Sequence, residues 1–409
     1  STMMKITMVI GTLGTFYISH KSIDIYDEFK SEYLIMAVGV LIGGMLLASS
    51  NNLLTLYLGV ETLSILSYVM TSLKRRDSHS SEAGIKYALY GGVTAAVMLF
   101  GMSHIYGIFG SIQFGEIIAG LKAMQEFNVA VIISLLMFFV GIGYKIACFP
   151  FHMWSPDVYQ GSPVPVTAFF AIVPKIAGIA VVARVTYQFF GAENINTDLW
   201  MKFIQITAAL TMTVGNLSAL NQKSVKRMLA FSSIGHVGLI LMGVITFGSQ
   251  GMAAILFYTL VYTFMTLGAF FVTAMVINRT GSDDAVYFKG LAKTNPILGF
   301  SMTIILFSLA GMPPFGGFIA KFNIIMAAVD KGFLTLAVIA AINSVISLVY
   351  YLKLARTMIL DDADGDQKID SYSLASRVYI IAVVIPIVFL GLFWNNIYNI
   401  YSSAKIYLN

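Results

Sequence analysis

No charged side chain occurs between Gly251 and Asn278. A membrane-spanning helix needs roughly 20 mostly apolar residues, within a range of about 17–25, so this stretch alone limits the solvent in which the chain can fold. It is one of twelve. Spans are predicted at 3–19, 33–49, 53–73, 84–109, 128–149, 164–190, 201–220, 225–247, 251–278, 295–329, 333–357 and 377–402. Their apolar residues run around the helix rather than along one stripe, which suits burial in lipid or in a bundle. The tenth is too long for one straight span and contains Pro313-Pro314. Charged residues make up 11% of the 409, against about a quarter in a soluble domain, so a water-soluble fold would lack its surface. The expected fold class is all-α, a polytopic membrane helix bundle.

Several chemistries are excluded early. Cys148 is the only cysteine, which rules out an internal disulfide and a Cys-ligated iron–sulfur cluster. No phosphate-binding GxxxxGK[ST] loop occurs, nor a GxGxxG between a strand and a helix, so no nucleotide, flavin or metal redox centre is expected in the chain. The acidic loop 361–370 invites a calcium reading that fails on spacing. Ligands at Asp362, Asp364 and Asp366 would put the required glycine on Gln367 and the bidentate glutamate on Ser373. A solvated turn is expected there. Ser1 is not an initiator methionine, and residues 1–19 lack the basic start and small-residue cleavage site of a signal peptide. The chain is therefore expected to begin inside a longer protein.

Twelve spans place alternate loops on opposite sides of a membrane. One side then collects sixteen lysines and arginines, among them Lys74, Arg75, Arg76, Lys223, Lys226 and Arg227, and the other only Lys122, Lys202, Lys331 and Lys405. Basic loops stay in the cytoplasm, so both ends of the chain are expected outside it. The net charge of +5 belongs to this asymmetry, and no nucleic-acid partner is expected.

Glu61 is the only acidic residue inside a predicted span, and Lys145, Lys175, Arg184 and Lys321 are the basic ones singled out there. A charge at mid-bilayer costs roughly 2.5–3.5 kcal/mol on insertion scales, so such residues face the bundle or a wet cavity. Arg184 lies near its span's end, where it can snorkel. Lys145 precedes Pro150 by five residues, Lys175 follows Pro174, and Lys321 follows GMPPFGG. Proline frees a backbone carbonyl and glycine lets the chain bend, and broken helices at membrane depth mark ion sites in transporters. Each of the three lysines is therefore expected beside a helix break. A buried amine loses hydration and a nearby carboxylate restores its charged form, so a glutamate–lysine pair of variable geometry can load and release a proton. His236 is either a relay or a packing residue. His104 is expected to pack, and His152 and Asp157 to fix the turn that follows Pro150.

These segments carry a family resemblance. GIGYKIACFPFHMWSPDVYQGSPVPVTAFFAIVPKIAG, LGVETLSILSY, NQKSVKRMLAFSSIGHVGLILMG and SLAGMPPFGGFIAKF occur in the order found in the subunit N family of respiratory complex I, the proton-pumping NADH–quinone oxidoreductase. The chain resembles helices three to fourteen of that antiporter-like family. The other antiporter-like subunits of the complex and the multisubunit sodium–proton antiporters share the PFHxWxPD core, but usually read LPDA where this chain has SPDVYQG. They also commonly carry a histidine in the span of Lys175, which this chain lacks. The resemblance implies two inverted five-helix repeats, each with a broken helix and a proton half-channel, at 32–190 and 191–357. Residues 1–31 would hold the first helix and a cytoplasmic loop, and 358–409 a cytoplasmic loop and the C-terminal transmembrane helix. It implies a proton relay in which Glu61 modulates, Lys145 is its partner, Lys175 connects and Lys321 is terminal, with His236 between the repeats. NAD, FMN, iron–sulfur clusters and quinone would sit in other subunits, and the partners would be neighbouring antiporter-like and small membrane subunits within the lipid bilayer. The expected location is the bacterial cell inner (plasma) membrane, although a thylakoid counterpart would share most motifs. The rival readings are a sodium–proton antiporter subunit, a hydrogenase-linked membrane arm, and a purely structural subunit with static ion pairs.

Overall fold

A computed structural model describes residues 1–74, 77–124, 128–191, 198–363 and 373–403. The acidic positions 364–372, and Arg75, Arg76, Lys368 and Lys405, lie outside the described residues. Helices α1 (Thr2–Lys21), α2 (Lys30–Ser49), α3 (Leu53–Thr71) and α4 (Ser78–Phe109) are followed by the short α5 (Phe114–Ala123). Next come α6 (Val129–Ile146), α7 (Trp154–Gly161), α8 (Val164–Phe190), α9 (Asp198–Ala219), α10 (Val225–Val244) and α11 (Ser249–Thr280). The chain ends with α12 (Leu291–Thr294), α13 (Pro296–Ala310), α14 (Gly316–Asp330), α15 (Leu334–Ile359), α16 (Leu374–Leu392) and α17 (Trp394–Ser403). No β-strand occurs among the described residues.

Span starts follow from local chemistry. Asn52, Asp77, Asn128, Ser224 and Asn295 each accept a backbone N–H in the first turn of α3, α4, α6, α10 and α13. Such caps satisfy donors that the helix itself leaves open. α8 and α11 are almost wholly buried and form the centre, with α1 and α10 packed against them. α2, α4, α15 and α16 turn large apolar side chains outward, including Ile35, Leu89, Val345 and Ile385.

Nine helices among the described residues are long and apolar enough to cross a bilayer, fewer than the twelve spans expected. α1 and α9 dilute their apolar residues with Lys5, His20 and Lys21 in one and Asp198, Lys202, Gln205 and Asn216 in the other. The predicted span 295–329 divides into α13 and α14. The predicted span 377–402 also divides: it stops at Phe393, and the polar run WNNIYNIYSS forms a separate α17.

Two breaks shape the interior. α6 stops at Ala147, whose φ of 58° is left-handed, and the chain passes through the cis bond Phe149-Pro150 before α7. The freed Phe149 N–H donates to Thr211 Oγ1 of α9 at 2.9 Å, and the Tyr144 carbonyl accepts from both Ala147 N–H (3.0 Å) and Trp154 Nε1 (2.9 Å). α13 stops at Gly311, φ 87°, and the chain passes through the cis bond Pro313-Pro314 before α14. There Gly317 N–H donates to Ser308 Oγ at 3.0 Å. α8, by contrast, continues through Pro174. The break expected beside Lys175 is absent because every neighbour of that turn is packed protein, which tolerates a proline without ending the helix.

Four basic residues, Lys74, Lys86, Lys226 and Arg227, gather near Asp24 and Asp157. Asp24, after α1, accepts from Val164 N–H at the start of α8 (3.2 Å) and pairs with Lys74 after α3 (2.8 Å). Asp157 of α7 pairs with Lys86 of α4 (2.9 Å) and Arg227 of α10 (2.6 Å). On the opposite face Arg184 donates to the carbonyls of Ala48 and Ser50 and to Asn51 Oδ1 (2.9, 3.3 and 2.7 Å). A cation that completes the carbonyl end of α2 is well placed against its dipole, so Arg184, partly exposed near the end of α8, also anchors a helix end.

Candidate functional site

Lys145, Lys175, Lys321 and His236 are 2%, 1%, 8% and 5% exposed, which puts all four inside the bundle. None of the three lysines makes an ion pair among the described residues; each is held by neutral oxygens. Lys145 Nζ, at the end of α6, donates to Ser64 Oγ of α3 (3.1 Å) and Tyr87 OH of α4 (3.4 Å). It also lies 5.5 Å from the Tyr87 ring centroid and 6.0 Å from that of Tyr68, distances at which a ring face attracts a cation. Lys175 Nζ donates to Ser233 Oγ of α10 (2.5 Å) and sits 5.4 Å from the Tyr159 ring. Lys321 Nζ donates to the Ala310 carbonyl (2.9 Å), which the second break has exposed, and reaches Ser347 Oγ of α15 at 3.5 Å. Because these partners are neutral, each amine can gain or lose a proton without stranding a carboxylate.

Glu61 stands on α3 one turn before Ser64 and one turn after Tyr57, and is partly exposed. It makes no ion pair with Lys145, although its charge acts on that amine and on Tyr57. The pairing expected from the sequence is therefore indirect, with Ser64 taking the place of the carboxylate as the amine's acceptor.

His236 lies one turn beyond Ser233 on α10. Its Nδ1 contacts Tyr258 OH of α11 (2.5 Å) and its Nε2 contacts Tyr351 OH of α15 (3.2 Å), which in turn bonds Ser232. Beyond it a small polar cavity of about 20 Å³ is lined by His236, Lys321, Asn216, Asn343, Ser347 and Tyr350. That volume exceeds the roughly 10–15 Å³ one water molecule requires. Tyr350 OH donates to Asn216 Oδ1 (3.0 Å), and Asn216 Nδ2 donates to Asn343 Oδ1 (3.1 Å). Ser233, the partner of Lys175, thus lies one turn from His236 on α10, and His236 shares its small cavity with Lys321.

Other candidates fall away from this group. His104 stands exposed on the outer side of α4, edge-on to Phe100 at 4.5 Å, so it is not a buried packing residue. Asp157 fixes its turn through Lys86 and Arg227 as expected. His152 is buried and stacks on Phe149. Above α7, on the basic face, a polar pocket of about 390 Å³ is lined by Asp24, Lys74, Lys86, Asp157, Gln160 and Lys226. Lys226 donates to the carbonyls of Gln160 and Ser162 (2.8 and 2.6 Å), closing the pocket's floor. No cluster of three or more histidine, cysteine, aspartate or glutamate side chains suited to a metal occurs among the described residues. Sequence reading missed Tyr87, Ser233, Tyr258, Tyr351, Asn216 and Asn343, whose partners lie far away along the chain; the polar run Ser232-Ser233 beside His236 was the available signal.

The chain is similar to known proteins along nearly its whole length. Residues 50–347 match the family described as NADH:quinone oxidoreductase/Mrp antiporter, TM. It is 40% identical to NADH-quinone oxidoreductase subunit N 2 of Sorangium cellulosum, over 97% of this chain and 81% of that one. Its fold matches a chain of respiratory complex I from Thermus thermophilus with a TM-score of 0.80 at 28% identity, covering 97% of this chain and 84% of that one. It also matches a chain of an archaeal membrane-bound sulfane sulfur reductase with a TM-score of 0.86 at 26% identity, covering 98% and 81%.

Proposed function

Because the chain belongs to the subunit N family of NADH–quinone oxidoreductases, we propose that it translocates protons within that complex along the buried line from Lys145 to Lys321. The observation that carries this reading is the set of three buried amines, each held by neutral oxygens, with His236 one turn from the partner of Lys175 and on the same cavity as Lys321. Electron transfer belongs to other subunits, which hold the NAD, FMN, iron–sulfur clusters and quinone, and this chain is driven from a distance. Neighbouring membrane subunits of the complex are its partners.

In this reading Lys145 receives a proton under the influence of Glu61, and Lys175 passes it on. His236 and water in the adjoining cavity deliver it to Lys321. A histidine bonded at both ring nitrogens can accept at one and release at the other, the arrangement suited to a shuttle. The basic face is the cytoplasmic one, in keeping with the location of basic loops, and the pocket of Asp24, Asp157 and Lys226 is the mouth on that side. The chain then sits in the bacterial inner membrane with its described start on the outer side.

The test uses the assembled complex in proteoliposomes, with proton pumping and quinone reduction followed together. Glu61→Gln and Lys175→Gln are expected to lower pumping while leaving assembly intact. Normal pumping by both would sink the relay. Sodium-dependent proton flux without any response to NADH or quinone would instead favour an antiporter.

A further inference from the structure

The proposed path is interrupted between its first two amines. Lys145 reaches Tyr87, Lys175 reaches Ser233, and no hydrogen bond joins Tyr87 to Ser233. On α8 the buried Phe170 packs against Tyr87, with its ring 5.7 Å away. The element that spans the gap by another route is α7. Trp154 stacks on Tyr87 at 4.4 Å and so fixes α7 against the Lys145 site. At its other end the Tyr159 ring lies under the Lys175 amine.

Ser155 and Tyr159 are four residues apart on α7 and therefore share one face. Both are 0% exposed, and neither Ser155 Oγ nor Tyr159 OH has a hydrogen-bond partner among the described residues. Buried hydroxyls are nearly always bonded, so orphans of this kind need an explanation. The Tyr159 hydroxyl faces both Ser155 and Ser233 without meeting hydrogen-bond geometry with either, and it lies within electrostatic reach of Tyr87. The unpartnered Tyr159 hydroxyl thus faces the partner of Lys175, and the unpartnered Ser155 hydroxyl lies beside it on the end of α7 that Trp154 holds against a partner of Lys145.

The geometry points to Ser155 and Tyr159, with bridging water, as the hydroxyl relay that carries a proton from Lys145 to Lys175. This rests on the lysine relay above and adds residues to it. An N–H bond of Lys145 breaks as an oxygen lone pair takes the proton. Each hydroxyl or water that accepts one proton releases its own to the next, and the last forms an N–H bond on the neutral amine of Lys175. No hydroxyl stays ionised, and rotation of each O–H resets the chain. Phe170, packed against Tyr87, offers no exchangeable proton and takes no part.

The experiment compares Tyr159→Phe, Ser155→Ala, Ser155→Thr and Lys175→Gln in the intact complex in proteoliposomes, reading assembly, pumping and the solvent deuterium isotope effect. Tyr159→Phe keeps the ring beneath Lys175 and is expected to slow pumping on the order of 100-fold, the scale of a positioned proton-transfer group. Ser155→Ala is expected to lose about tenfold, since water entering the vacated space takes over part of the transfer. Ser155→Thr, which retains the hydroxyl, is expected to pump normally, and the isotope effect is expected to rise in both slow variants. Should Tyr159→Phe fail to assemble, the Ser155→Ala and Ser155→Thr pair decides. Wild-type pumping and isotope effect in Ser155→Ala and in any assembled Tyr159→Phe, with Lys175→Gln inactive, would overturn this relay and leave the lysines in place. Normal pumping by Lys175→Gln would overturn both.

Discussion

An alanine at Gly317 tests how tightly the second broken helix is held. Its Cβ would fall 1.8 Å from the Ser308 carbonyl oxygen, a backbone atom that no rotamer change can move. Real Cβ contacts do not go below 3.0 Å, so α14 must retreat from α13 by at least 3.0 − 1.8 = 1.2 Å. Lys321 sits one turn further along α14, with Nζ 2.9 Å from the Ala310 carbonyl. Carried outward with its helix, it would stand 2.9 + 1.2 = 4.1 Å away, outside hydrogen-bond range. A hydrogen bond to a charged group contributes about 1.5–3 kcal/mol, which converts to roughly a 10- to 150-fold loss if the contact positions Lys321 for transfer. The assay is lumen acidification of proteoliposomes holding the assembled complex, followed with a pH-sensitive dye, while quinone reduction is measured in parallel. Gly92→Ala is the control, since a Cβ there meets nothing within 4 Å. Gly317→Ala with full assembly and wild-type pumping would refute the claim that the spacing of the two half-helices sets the position of Lys321.

Arg184→Ala strands the carbonyls of Ala48 and Ser50, at a cost of about 1–3 kcal/mol. Thermal unfolding of the purified complex should show the loss, with pumping per assembled complex unchanged. Burial works to raise the Asp24 carboxyl, but Lys226 and Lys74 outweigh it and hold the group below the usual carboxylate range. Its stabilisation is therefore present above the unfolded value of about 3.9 and is lost as pH falls through the lower folded value. Thermal stability should be flat between about pH 5 and 8 and should drop below about pH 4, and Asp24→Asn should make that acid limb shallower. Asp157→Asn breaks two half-exposed pairs, each worth about 0.2–1 kcal/mol. The fall in unfolding temperature should be small, and high salt should mimic it.

The breaks were legible because proline and glycine act locally: the left-handed residues Ala147 and Gly311 each stand three residues before a proline. Pro174 misled because the same residue type, inside packed protein, leaves a helix intact. The division at Phe393 was hidden because Trp394, Ile397 and Tyr398 keep the segment apolar enough to pass as span while its asparagines turn it amphipathic. The lysines stood out because an isolated charge in an apolar run is costly wherever it ends up. Their actual partners did not. Ser64 lies 81 residues from Lys145, Ser233 lies 58 from Lys175, and Tyr351 lies 115 from His236. Serine and tyrosine are ordinary in membrane helices, and only the packing of α3, α4, α8, α10 and α15 makes them chemical neighbours. The sequence marked Glu61 as an isolated acid and its resemblance implied a pair with Lys145, but that Ser64, one turn further along the same helix, would take the amine instead was not legible there.

The two breaks differ in what accepts from their lysines. At the first, the carbonyl of Tyr144 is taken by Ala147 N–H and the indole of Trp154, and Lys145 turns to two hydroxyls. At the second, Lys321 itself takes the carbonyl of Ala310. An ammonium only donates, whereas a neutral amine also offers a lone pair. Serine and tyrosine can answer that change by reversing their O–H direction, so the first site has two hydrogen-bond polarities of similar geometry. A carbonyl has no proton to turn, so towards Ala310 Lys321 keeps the same donor sense whether or not it has lost its proton, and only its longer contact with Ser347 Oγ (3.5 Å) can reverse. The difference between the two breaks is therefore written into the acceptors rather than into the amines.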